Sequence, residues 1–153
     1  MIFEFGKFCV DVDVERTREF YDKHGKTVIE DCGCVNCRNY YESILTVSDK
    51  VTTFFRSLGI DPRKSPEATW WYTDENGVAY YTICFHLVGT LVNSVALCRL
   101  AGDHGMETII ENFHEIDTGF KIGFTSQVVI LEQNFPEPCI QLEIEAHIPW
   151  VLD

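Results

Sequence analysis

The sequence predicts an α+β fold: an antiparallel meander sheet of roughly six strands with two or three helices packed on one face. Three observations predict it. Helical periodicity is confined to the first 66 residues, after one strand. The remainder alternates and is rich in β-branched and aromatic residues. The turns between successive strands are short, and only antiparallel neighbours can be joined that way. The chain has 153 residues, the length of one domain. No Pro/Gly/Ser-rich linker divides it, so residues 1–153 are read as a single domain.

The elements follow in order. Phe8, Val10, Val12 and Val14 alternate with Cys9, Asp11 and Asp13, the pattern of a half-buried strand. Residues 15–23 read as a short helix ended by Gly25. Asn36 is the expected cap of a helix over Cys37–Leu45, whose Cys37, Tyr40, Tyr41, Ile44 and Leu45 form one apolar stripe. Ser48 caps the next helix, which buries Val51, Phe54, Phe55 and Leu58. Gly59 and Pro62 end it. Ala68–Thr73 and Val78–Val92 are strands joined at Asp74-Glu75-Asn76-Gly77. The second is apolar on both faces and therefore central. Thr108–Ile116, Phe120–Phe124 and Val128–Leu131 follow as strands. The last strand turns Ile140, Leu142, Ile144, Ala146 and Ile148 inward, and Gln141, Glu143, Glu145 and His147 outward.

Charge excludes whole classes of function. Against 24 acids stand 12 bases, a net of −12. Phosphate backbones and anionic membrane surfaces repel such a chain. Of the imbalance, residues 67–153 hold thirteen acids and two bases, Arg99 and Lys121. The acidity thus belongs to the β-rich part. No basic n-region with an apolar stretch opens the sequence, so a cytoplasmic protein is expected. No P-loop, GxGxxG, GxSxG or HExxH occurs.

The dense reactive constellation is Asp31-Cys32-Gly33-Cys34-Val35-Asn36-Cys37. Cys34-x-x-Cys37 has zinc-knuckle spacing, because two intervening residues let both sulfurs reach one ion. Cys32 offers a third ligand, and a fourth would come from His24, Cys9, His86 or His104. In a thiol-redox reading, a helix N-terminus activates Cys34 and Cys37 is its partner. In the plainest reading, the cysteines pack as small hydrophobes.

Other candidates lie on the long strand. Tyr80, Thr82, Cys84 and His86 share one face. Cys84 and His86 could be two metal ligands, or a thiol and its base. Trp70, Trp71, Tyr80 and His86 are the candidate ligand-binding set, alternate aromatics lining a cleft. Glu143 and Glu145 sit on one strand face at about 7 Å, a spacing that any solvated strand face also shows.

Several segments carry a resemblance: Asp13-Val14-Glu15-Arg16-Thr17-Arg18, Asp31 through Tyr40, Phe54-Phe55-Arg56-Ser57-Leu58-Gly59-Ile60-Asp61-Pro62, Phe85-His86-Leu87-Val88-Gly89, Ile122-Gly123-Phe124-Thr125 and Ile148-Pro149-Trp150-Val151-Leu152. Through these the chain resembles an uncharacterised bacterial protein family, over most of its length. The Cys-rich segment is the most specific part, and Leu91–Glu107 lies outside the likeness. The resemblance implies a bacterial, cytosolic, single-domain protein and brings no activity with it.

The leading functional expectation is a small non-enzymatic binding module with a protein or small-molecule partner and no required cofactor. The alternatives are a zinc protein using Cys32, Cys34 and Cys37, and a thiol enzyme using Cys34 and Cys37. Adjacency of His86 to the cysteine segment would favour both alternatives.

Overall fold

A computed structural model describes residues 1–153. In chain order the elements are β1 (Ile2–Phe5), β2 (Phe8–Val12), α1 (Val14–Lys23), α2 (Val28–Asp31), α3 (Val35–Ser43), α4 (Asp49–Leu58), β3 (Glu67–Thr73), β4 (Val78–Leu91), β5 (Cys98–Leu100), β6 (Met106–Thr108), β7 (His114–Asp117), β8 (Phe120–Thr125) and β9 (Cys139–Pro149). The fold is α+β with an antiparallel main sheet. Seven strands build that sheet, in the order β1-β2-β4-β9-β8-β7, with β3 also paired to β4. β5 and β6 form a separate two-stranded hairpin.

The strand order departs from a simple meander at two places, since β2 pairs with β4 across the intervening helices and the last strand joins out of turn. The last strand, β9, inserts at the centre, between β4 and β8. Its apolar face explains why: Ile140, Leu142, Ile144, Ala146 and Ile148 are all buried. Along the chain, three more differences appear. Ile2–Phe5 is a strand paired to β2. Thr108–Ile116 is broken by a one-turn 3-10 helix at Ile110–Asn112. Val128–Leu131 is not a strand but irregular backbone, with Ile130 at φ +50°.

The helices cover one face of the sheet. Phe55 of α4 meets Phe85 of β4 at 5.4 Å and Phe120 of β8 at 5.9 Å, both edge-on. Phe54 meets Phe5 of β1 at 5.3 Å. The sheet curls around this helix until its ends touch, with Phe5 stacked on Phe124 at 5.8 Å. Lys7 Nζ donates to Asn112 Oδ1 at 2.6 Å across the same seam. One cluster of 29 buried residues forms the core.

On one edge of β4, β3 stops at Cys84 and β2 begins at Gly89. The backbone between them needs other partners. Helix α1 supplies them. Tyr21 Oη donates to the His86 carbonyl at 2.9 Å and accepts from the His86 N–H at 3.0 Å. Thr17 Oγ1 accepts from the Val88 N–H at 3.0 Å. The Asp13 N–H donates to the Val88 carbonyl at 2.8 Å. Two hydroxyls and one amide thus act as a substitute strand. Tyr21→Phe should cost about 1–3 kcal/mol for each backbone group left unpaired, read by urea denaturation. A cost near zero would show that water replaces the hydroxyl.

Candidate metal centre

Cys32, Gly33 and Cys34 form the whole connection between α2 and α3. A capping box at Thr27 and Glu30 fixes the start of α2. Cys32 and Gly33 then both donate N–H bonds to the Val28 carbonyl. Gly33 holds φ +70°, the left-handed conformation that glycine adopts without penalty. A Cβ there would lie 3.2 Å from the Ile29 carbonyl oxygen. This reversal returns Cys34 beside Cys32. Cys34, rather than Asn36, is the N-cap of α3, and its sulfur accepts the Cys37 N–H at 3.5 Å.

The three sulfurs lie within 4.8 Å of one another. Tetrahedral zinc with Zn–S bonds of about 2.3 Å needs sulfurs about 3.8 Å apart, so a small adjustment suffices. Cys32 and Cys34 are exposed and Cys37 is buried. The bond from the Cys37 amide holds the Cys34 thiol below the ordinary value, with Cys32 adding to the effect. Burial first, then the neighbouring sulfurs, pushes Cys37 up to about 12.

The platform under the cluster is fixed by Asn39, which is 0% exposed. Its Nδ2 donates to Tyr81 Oη and to the Pro149 carbonyl, each at 3.3 Å. Its Oδ1 accepts the Val151 N–H at 2.7 Å. Tyr81 Oη donates to the Asn36 carbonyl at 2.7 Å. The first turn of α3 is therefore tied to both β4 and the chain end.

No fourth side chain completes the set: His24, Cys9, His86 and His104 stand outside the group of converging ligand atoms. His86 belongs to a different network on the outer sheet face, opposite the face on which Phe85 meets α4. It is 0% exposed. Its Nδ1 meets Glu132 Oε2 at 2.6 Å, and its Nε2 meets the Val129 carbonyl at 2.9 Å and Gln141 Oε1 at 3.0 Å. Oxygens face both nitrogens, so only the imidazolium has a donor for each side. Burial alone would lower the His86 pKa, but the bond and charge of Glu132, helped by Gln141 and Val129, raise it above the usual value. The sign follows. This contribution to stability is complete below about pH 6.5, the unfolded value. It is lost as pH rises through the higher folded value. Urea midpoints should fall across that window, and His86→Gln should remove that fall. An unchanged profile in the variant would exclude His86 as its source.

Cys84 is no partner for His86, whose ring nitrogens are engaged elsewhere. Burial, with the charge of Glu143, Glu67 and Glu132, pushes that thiol up to about 12, which makes it unreactive. The four candidate ligand-binding residues do not converge. Trp70 pairs with Tyr81 on the helix side of the sheet, and its indole donates to Thr73 Oγ1 at 2.9 Å. Trp71 lies on the outer face, donating to Thr82 Oγ1 at 3.0 Å. Tyr80 shares that face and stacks on Tyr72 at 5.5 Å. His86 is sealed beneath residues 129–135, where Phe135 meets its ring at 5.8 Å.

The outer row of β9 is not solvated as its alternation implies. Gln141 is 1% and Glu145 8% exposed. Gln141 is locked between Val129 N–H at 2.7 Å and Glu143 Oε1 at 2.5 Å. Burial raises the pKa of Glu143 and Glu145 alike, against the bonds from Gln141 and Tyr80. Glu132 is a residue that sequence reasoning missed, because nothing local links it to a histidine 46 positions away.

Comparison with known proteins finds no matching family model, no matching curated protein and no matching solved structure. No helix of the chain is long and apolar enough to cross a membrane.

Proposed function

We propose that the chain is a small zinc-binding protein in which Cys32, Cys34 and Cys37 hold the metal. The convergence of three sulfurs within 4.8 Å carries this reading. Structural zinc sites close with four protein ligands, whereas three ligands leave a position for water or an incoming group. This site is of the second kind, and two of its sulfurs are exposed. It holds a metal at the surface, where a fourth ligand can be exchanged. The reading predicts about one zinc per chain in protein purified without chelator. A folded protein that takes up no zinc when it is supplied would refute it.

A second reading rests on the lowered pKa of exposed Cys34 beside Cys37. In it the pair undergoes thiol exchange, without metal. Metal-free protein in which a thiol probe labels Cys34 first at neutral pH would favour that reading.

A further inference from the structure

A separate cavity of about 220 Å³ opens on the outer face. Its floor is Tyr80, Lys121, Glu145 and His147, from β4, β8 and β9, and Ile110 of the 3-10 turn forms a wall. The volume is below the roughly 300–1,000 Å³ of sites for drug-sized molecules, so it suits a small ligand.

Its charges are arranged unusually. Lys121 is one of two bases among residues 67–153, and thirteen acids share that stretch. It stands directly opposite Glu145 on β9 and Glu115 on β7 in register. Opposed residues in antiparallel strands are about 4.5–5.5 Å apart at Cα, close enough for an ion pair. Lys121 forms one with neither. Glu145 is 8% exposed. One of its oxygens accepts the Tyr80 hydroxyl, and the other has no hydrogen-bond partner. That second oxygen keeps contact with solvent and is open to a ligand in the cavity. Both open charges line one cavity, and the His147 ring stands edge-on to Tyr80 at 4.8 Å on its rim.

A simple cation would answer Glu145 and leave Lys121 opposed. A simple anion would do the reverse. We propose that this cavity binds a small zwitterion of the α-amino-acid type. Its ammonium meets Glu145, its carboxylate meets Lys121 and His147, and its apolar side chain lies along Ile110 and Tyr80. An amino acid carries both charges on one carbon, which suits two partners placed directly across a strand pair. The proposal does not depend on the cysteine cluster.

The test is an NMR titration of amide resonances with L-leucine, 3-methylbutylamine and 4-methylpentanoic acid. The last two keep the leucine skeleton and lose one charge each. Leucine should give saturable shifts at Ile110, Lys121 and Glu145. Each analogue should bind at least about tenfold more weakly, the scale of one lost charge-assisted hydrogen bond. Glu145→Gln and Lys121→Met should each weaken leucine similarly, with dispersed spectra and unchanged zinc content. Glutamine keeps an acceptor for Tyr80, so that variant tests charge rather than folding. Absence of saturable shifts at millimolar leucine, or equal binding of all three compounds, would overturn the proposal.

Discussion

Serine in place of Cys34 is expected to lower zinc affinity by at least about 100-fold while leaving the fold intact. Loss of a residue that merely orients a ligand costs 10–100-fold. Loss of one ligand from a set of three must cost at least the upper end. Cys34 is also the N-cap of α3, and its sulfur accepts the Cys37 amide. Serine is a strong N-cap, so the helix start survives the exchange. Circular dichroism and a competition titration with a chelator separate the two effects. Parallel loss with Cys32→Ser and Cys37→Ser would show that all three sulfurs bind. Unchanged affinity in the Cys34 variant would place the metal elsewhere.

Gly89→Ala is expected to be among the most destabilising single changes, costing about 3 kcal/mol or more. A Cβ at Gly89 would stand 2.2 Å from the Asp11 carbonyl oxygen and 3.1 Å from Val12 Cα. These are backbone atoms of β2, which pairs with β4 at this point. They cannot swing aside as a long side chain can. The expected result is a large drop in urea midpoint, or failure to accumulate folded protein. Near-wild-type stability would mean that β2 can separate from β4 at little cost. Tyr81→Phe is a useful companion, because it removes a hydroxyl under the metal site without touching this strand pair.

The sequence shows which residues share a face but not what covers that face. The helix over residues 49–58 was legible because its apolar positions repeat at helical spacing and Gly59 ends it. The β3–β4 turn was legible because Asp74 accepts the Asn76 and Val78 amides, each at 2.9 Å. Position in the sheet was not legible for β9, since its partners on β4 are more than 50 residues away in the chain, from Val88 opposite Cys139 to Val78 opposite Pro149. The row Gln141, Glu143 and Glu145 read as solvated because alternation gives only a side. Segments from elsewhere in the chain then cover it: Val129 and Glu132 at one end, Thr108 and Ile110 at the other. The cysteine cluster was legible from spacing alone, because one short turn contains it. The lack of a fourth side chain was not, since the candidates range from Cys9 to His104 and only folding decides which of them reaches the cluster. The acidity of residues 67–153 also changes meaning. Part of it lies within the network around His86, and part surrounds an unpaired lysine.

X-ray absorption at the zinc edge tests the central claim most directly. The protein loaded with one equivalent of zinc should show three sulfurs at about 2.3 Å and one lighter nitrogen or oxygen ligand at about 2.0 Å. A first shell without sulfur, or one of four sulfurs, would contradict an open three-thiolate site at Cys32, Cys34 and Cys37.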